Sequence, residues 1–157
     1  MKFICDDNLG KLAKWLRTLG YDTLFYPDIE DTELVSNALR EERIILSRDT
    51  ELKRFKSVEK KLFLLSGNQP LGQLKEVLKR FNLKPQEKNL FTRCLLCNQL
   101  LIPVPKKEVE SRVPPFVFKT QENFIYCSKC NKFYWAGTHL KNLKRTMVEE
   151  KVMEKAS

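Results

Sequence analysis

Two pairs of cysteines constrain the second half of this chain more than any other feature. Cys94 pairs with Cys97 and Cys127 with Cys130, each as a C-x-x-C turn, and the 29 residues 98–126 separate the two turns. Each turn can present two thiolates, and two turns complete the four-cysteine shell of a structural zinc ion. A single redox-active pair is the alternative, although two matching pairs favour the metal. A shell of four sulfurs leaves no open position, so this zinc would fold the module and perform no hydrolysis.

The first half of the chain has a different pattern, in which short apolar runs alternate with amphipathic helices. The runs predict strands at 2–5, 23–26, 44–46 and 61–65, and the periodic segments predict helices at 9–19, 31–40, 50–55 and 71–81. Alternation of this kind is typical of βαβ units, so we expect a parallel sheet with helices on both faces. A polar linker at 82–89 and a helix at 138–154 complete the prediction.

The charges are unevenly distributed along the sequence. The formal net charge is 29 − 20 = +9, yet residues 1–50 hold 7 basic and 10 acidic side chains, a net of −3. All six aspartates lie between Asp6 and Asp49. The basic remainder favours a polyanionic partner. Five glycines form neither G-x-G-x-x-G nor a complete Walker A loop, which argues against the usual nucleotide cradles.

Three aspartates are placed where chemistry is expected in an open α/β sheet. Asp6 follows the first predicted strand, Asp49 follows the third, and Asp31 opens the helix between the second and the third. Ligands bind at the carboxyl ends of parallel strands. Clustered carboxylates repel one another unless cations bind, and oxygen ligands suit Mg²⁺ or Mn²⁺. The alternative is structural, because Asp31 and Asp49 are also good helix N-caps.

Several segments of the sequence resemble those of a known family. Residues 3–23 read FICDDNLGKLAKWLRTLGYDT, residues 31–34 read DTEL and residues 43–49 read RIILSRD. These three segments, followed by the first cysteine turn at 93–98 and by YWAGTH at 134–139, resemble the Mut-seven C-terminal RNase domain family, a branch of PIN-like nucleases.

The resemblance implies a PIN-like α/β nuclease domain at 1–85, a zinc ribbon at 90–140 and a C-terminal helical tail at 141–157. It also implies a ribonuclease that depends on Mg²⁺ or Mn²⁺, with Asp6, Asp31 and Asp49 matching the acidic residues of the family. The register selects Asp6 over Asp7. One departure is the loop at 66–69 after the fourth strand, which carries no carboxylate although PIN-type sites often have one there.

The expected substrate is RNA, and four basic residues are candidates for binding it. Arg17 and Arg48 lie inside the matched segments, where each could contact a phosphate or pair with the acidic cluster. Lys53 and Arg54 belong to a basic run that is either a track for the RNA backbone or a solvated face. The rival function is a non-catalytic RNA- or ribosome-binding module.

The remaining expectations concern location. No apolar run approaches the roughly 18–20 residues that cross a bilayer, and the first ten residues hold no apolar segment of a signal peptide. We therefore expect a cytoplasmic protein without a membrane partner.

Overall fold

The computed structural model describes residues 1–154 as two compact units, Met1–Asn98 and a second unit that begins at Gln99. The strands of the first unit are β1 Lys2–Cys5, β2 Asp22–Phe25, β3 Ile44–Ser47 and β4 Leu62–Leu64. Its helices are α1 Gly10–Thr18, α2 Asp31–Glu41 and α3 Pro70–Arg80, with 3₁₀ helices at Thr50–Arg54, Lys56–Lys61 and Glu87–Asn89. The predicted strands and helices are therefore all present, with ends shifted by a few residues.

The four strands form a parallel sheet in the order β2-β1-β3-β4, and Phe3 of β1 lies opposite Thr23 and Ile44. Alternate side chains of the strands enter two cores. Ile4 and Ile45 pack with α2 on one face. On the other face, the Phe3 ring meets the Phe81 ring at the end of α3, with 5.7 Å between centroids. Helices thus cover both faces, which explains why the strands are almost wholly apolar and confirms the α/β prediction.

Helix α1 ends where the backbone turns into a left-handed conformation. Leu12, Ala13 and Leu16 are buried on its inner face, and Gly20 follows with φ +93°. A Cβ atom at Gly20 would lie 2.4 Å from the carbonyl oxygen of Asn89. Glycine is therefore required here both by the backbone angle and by the close approach of another segment.

The second unit is a small antiparallel sheet with helices. It contains β5 Ile102–Val104, β6 Phe124–Cys127 and β7 Lys132–Tyr134 in the order β5-β6-β7. Helix α4 spans Pro115–Thr120, α5 spans Thr138–Glu149, and a 3₁₀ helix lies at Lys106–Glu108. Val109, Val113 and Phe124 form its core, with Trp135 packed against them.

The predicted C-terminal helix is confirmed as α5, which ends at Glu149, earlier than the sequence pattern indicates. Residues 155–157 of the predicted tail lie outside the described residues. The domain bounds 1–85, 90–140 and 141–157 remain predictions. Within residues 1–154, every helix is too short or too polar to cross a bilayer.

The turn at Gly20 gives a direct test of the fold. Gly20→Ala is expected to lower the free energy of unfolding by about 2 kcal/mol or more, because the new methyl group meets a backbone oxygen at a positive φ. The matched control is Gly72→Ala within α3, where a Cβ atom meets nothing within 4 Å. That change should raise stability by about 0.5–1 kcal/mol. Urea denaturation measures both, and equal effects would contradict the prediction.

Candidate active site and cysteine cluster

The carboxyl ends of the four parallel strands open into a cleft of about 740 Å³. Each strand contributes to its lining through the residues that follow or end it: Phe25 and Pro27 for β2, Asp7 for β1, Arg48 for β3, and Asn68 and Gln69 for β4. The strand order reverses between β1 and β3, the place where open α/β sheets bind ligands. The cleft therefore lies where the fold favours a functional site.

The lining of the cleft is positively charged. Its cations are Lys11, Lys14, Arg17 and Arg48 and its one acidic residue is Asp7, a net charge of 4 − 1 = +3. The two lysines are exposed on successive turns of α1, and Arg48 is exposed at the end of β3. A cleft of this charge favours a ligand with several negative groups.

Asp6 and Asp49 are connected through one hydroxyl group beside this cleft. The Ser47 hydroxyl donates to Asp6 Oδ2 at 2.6 Å and accepts the backbone N–H of Asp49 at 2.9 Å. Asp6 Oδ1 accepts the backbone N–H of Asp7 at 2.8 Å, so the buried Asp6 carboxylate has a fixed orientation. Asp49 also accepts the N–H of Glu51, which confirms its predicted role as an N-cap. The Ser47 hydroxyl thus connects the Asp6 carboxylate at the end of β1 with the backbone of Asp49 after β3.

The position of Asp31 within helix α2 differs from the predicted one. The prediction that Asp31 is the N-cap of α2 is wrong, because Glu30 is the N-cap and Asp31 is the first helical residue. Its carboxylate accepts a hydrogen bond from Arg54 at 3.0 Å, so Arg54 is already paired. Lys53 is exposed on the same 3₁₀ helix, and neither Lys53 nor Arg54 lines the cleft.

The donor chemistry of these carboxylates suits a hard divalent cation, but their spacing limits the number that can share one. Among residues 1–154, Asp6, Asp31 and Asp49 do not form a group of three ligands placed around one ion. Mg²⁺ is commonly bound by only one or two carboxylates, with waters and substrate phosphates completing its shell. Asp6 and Asp49, which follow the neighbouring strands β1 and β3, supply that smaller number of carboxylates.

Helix α3 brings a carboxylate that was not predicted from the sequence to the loop after β4. Glu76 of α3 accepts hydrogen bonds from the backbone N–H and hydroxyl of Ser66 and from the backbone N–H of Gly67, at 2.8–2.9 Å. Burial raises the pKa of Glu76, but these hydrogen bonds and the charge of Arg48 outweigh it, so the pKa lies below its usual value. The loop itself carries no carboxylate, and in the folded chain Glu76 of α3 brings one against it.

A signal for this contact was present in the sequence. Gln73, one turn before Glu76 on α3, donates to the Gly67 carbonyl at 3.1 Å. Two polar residues three positions apart lie on one side of a helix and can reach the same neighbouring loop.

The four paired cysteines come together as predicted. The sulfur atoms of Cys94, Cys97, Cys127 and Cys130 all lie within 4.8 Å of one another. Four sulfurs at the usual 2.3 Å from a zinc ion are about 3.8 Å apart, so the cluster fits a tetrahedral shell. Cys5 lies apart from this cluster, within β1, where burial raises its pKa to about 12, so it stays a neutral thiol.

Hydrogen bonds connect the first cysteine turn to strand β2 and helix α1. The buried Arg17 donates from Nε to the Thr23 carbonyl and from Nη1 to the Leu95 carbonyl, both at 2.9 Å. Asn98 accepts the backbone N–H of Thr23 at 2.9 Å and donates to Asp22 Oδ1 at 2.7 Å. Leu95 and Leu96 consequently reach the cleft and line it. Arg17 is thus engaged by two backbone carbonyls, and its predicted role in binding substrate stays a prediction.

Fold and site together define an α/β protein with a cationic cleft at the switch point of a parallel sheet, beside a four-cysteine cluster fit for zinc. The chain belongs to the Mut7-C RNAse domain family, whose model matches residues 1–147. It is also similar to a human protein, "Exonuclease mut-7 homolog", with 33% identity over 101 residues. That match covers 62% of this chain and 12% of the human protein, so the chain corresponds to a small part of it. No solved structure matches. Family membership supports a nuclease-type function with RNA as the substrate class.

The geometry of the cysteine cluster predicts that each chain binds one zinc ion. Purified protein should contain one zinc ion per chain, measured by plasma mass spectrometry, and Cys130→Ser should lower that content severalfold because three sulfurs bind zinc less tightly than four. Cys5→Ala is the matched control, and its zinc content should remain at one. Equal zinc contents in all three proteins would contradict the assignment.

The contacts around Asp22 predict a dependence of stability on pH. Burial raises the pKa of Asp22, but hydrogen bonds from Asn98 and Arg43 and the charges of Arg43 and Arg93 outweigh it, so the folded pKa is lowered. Stability from this group is therefore present above the unfolded pKa near 3.9 and is lost as the pH falls through the folded value.

Urea midpoints from pH 7 to pH 2.5 measure this effect. Wild type should be more stable than Asp22→Asn at pH 7, and the difference should shrink below about pH 4. The exposed residue Asp28 provides the control, since Asp28→Asn should follow wild type across the range. A difference between wild type and Asp22→Asn that does not change with pH would count against the ionic origin.

Proposed function

We propose that this protein is a metal-dependent ribonuclease that hydrolyses RNA phosphodiester bonds at the carboxyl edge of its parallel sheet. The observation that carries the proposal is the link through Ser47 between the Asp6 carboxylate and the backbone N–H of Asp49, next to a cleft of net charge +3. The family supplies the reaction class, and the human relative is named an exonuclease.

In this proposal the two carboxylates hold a divalent cation, Mg²⁺ or Mn²⁺. A bound ion of this kind supplies a Lewis acid for a phosphoryl oxygen and lowers the pKa of a water molecule. The chain's part is to orient the Asp6 oxygens, through the N–H of Asp7 and the Ser47 hydroxyl. Because this orientation exists before substrate arrives, little reorganisation is required at the moment of reaction.

The cations of the cleft have a separate task, which is to hold the RNA backbone. Lys11, Lys14 and Arg48 present their charges at the cleft, where each can contact a phosphate. The reaction requires carboxylates, which repel the RNA phosphates. The positive charges of these three residues reduce that repulsion. The zinc cluster, having four sulfurs, serves the fold.

Asp31 and Arg54 extend the site in this proposal. Their ion pair lies near the surface, with Arg54 exposed and Asp31 half-buried, and surface pairs contribute about 0–1 kcal/mol. An RNA phosphate can therefore replace Asp31 as the partner of Arg54 at little cost. That exchange would release Asp31 toward the metal and give Arg54, with Lys53 beside it, a role in binding substrate.

Substitution of the paired carboxylates tests the proposal. Asp6→Asn and Asp49→Asn should each lower the rate of cleavage of a labelled RNA about 100-fold or more in Mn²⁺, because each loses a charged ligand. Zinc content and thermal midpoint should stay close to those of wild type. Asp28→Asn is the matched control, with full activity expected.

The rival function, a non-catalytic RNA-binding module, predicts a different outcome. The dense hydrogen bonding of Asp6 is the observation that favours it, since the same contacts would suit a purely structural carboxylate. If wild type binds RNA but does not cleave it with Mg²⁺ or Mn²⁺ present, the rival is correct. Undiminished cleavage by both variants would refute the assignment of Asp6 and Asp49.

A further inference from the structure

We infer that the cleft contains a subsite for one unpaired nucleobase, formed by Phe25, Leu95 and Leu96, and that the substrate is therefore single-stranded RNA. The inference deepens the proposed function and rests on it. It assigns a binding role to the two residues inside the first C-x-x-C turn, which a purely structural zinc site does not require.

Phe25, Leu95 and Leu96 give the cleft an apolar part, in a lining that mixes other apolar residues with polar and charged ones. Phe25 ends β2, and Leu95 and Leu96 are the middle residues of the turn from Cys94 to Cys97. Leu96 is 56% exposed, a large apolar side chain left open to solvent at the cleft. A nucleobase offers a flat, weakly polar face that such side chains can cover.

This apolar part is held rigidly. The Phe25 ring lies so close to the backbone of α1 that a Cβ atom on Gly10 would be 3.0 Å from it. The Leu95 carbonyl is held by the buried Arg17 guanidinium at 2.9 Å. Because these groups are fixed before a ligand arrives, binding a base against them loses little conformational entropy.

The position of this subsite relates it to the proposed chemistry. Neighbouring strands are about 4.8 Å apart, and β2 is adjacent to β1, so a base beside Phe25 lies about one strand spacing from the end of β1. The phosphate of that nucleotide then falls beside Asp6 and Asp7, with Arg48 one strand further along. A base held there fixes which phosphodiester meets the carboxylates.

An unpaired base fits this arrangement better than a duplex does. In a double helix the faces of the bases are stacked on one another, and only unstacked bases can be covered by protein side chains. The cations Lys11 and Lys14 line the same cleft and suit the backbone of the same strand.

Binding measurements without added divalent cation test the subsite independently of cleavage. A labelled single-stranded decamer should bind wild type about 10-fold more tightly than the same decamer with abasic residues in place of its bases. Leu96→Ser should weaken binding of the intact decamer about 10-fold and remove the preference over the abasic one. The control is Leu100→Ser, which changes the same residue type at 57% exposure outside the cleft and should bind as wild type does.

A second variant and a zinc measurement separate binding from folding. Phe25→Leu keeps an apolar side chain against Gly10 and should also reduce the preference for intact over abasic RNA. Both variants should retain one zinc ion per chain.

Equal binding of intact and abasic RNA by wild type would overturn the inference, as would wild-type behaviour of Leu96→Ser. Cleavage that survives in Asp6→Asn and Asp49→Asn would instead refute the catalytic assignment, so the two failures are distinguishable. A duplex of the same sequence should bind more weakly than the single strand, and tighter binding of the duplex would also overturn the inference.

Discussion

The cleft depends on the hydrogen bonds that the buried guanidinium group of Arg17 donates. A permanently charged group at 4% exposure requires acceptors, and Arg17 finds them in the carbonyls of Thr23 and Leu95. Burial lowers the pKa of Arg17, and Coulombic interaction with neighbouring cysteines opposes the change. A zinc ion with four thiolates carries a formal charge of two minus, which a neighbouring guanidinium partly balances. One side chain thus supports strand β2, the first cysteine turn and the wall of the cleft.

The reversal of strand order explains why two distant aspartates meet. Chain connections leave β1 and β3 in opposite directions, so the residues just after these two strands remain side by side at an otherwise open edge. Ser47 is the last residue of β3, and its hydroxyl donates to the Asp6 carboxylate while it accepts the backbone N–H of Asp49. An alanine at this position would leave the buried Asp6 oxygen without that donor. Ser47 therefore orients the Asp6 carboxylate, a role that the sequence alone does not indicate.

Local patterns predicted the fold well, because strand and helix periods and the glycine at position 20 depend on neighbouring residues. The cysteine cluster was also predictable, since the spacing within each pair is itself a geometric constraint. The side-chain partners were not predictable in the same way. Glu76 reaches the loop after β4 from the adjacent helix, and Arg54 reaches Asp31 across 23 positions. The spacing of Gln73 and Glu76 indicates only that both lie on one side of α3, and the loop that they meet follows from how the elements pack.

The charge distribution has a different meaning in space from the one it has along the sequence. The cations that line the cleft all belong to residues 1–50, the segment whose net charge is −3, and the basic run near Lys53 lies outside the lining. Helix α1 brings Lys11 and Lys14 to the same edge at which β1 and β3 deliver Asp6 and Asp49. Groups that attract a polyanion and groups that repel its phosphates thereby lie at one edge of the sheet. In the proposed mechanism a divalent cation between the carboxylates and a phosphate would relieve that repulsion, so affinity for RNA at this edge should itself depend on the metal.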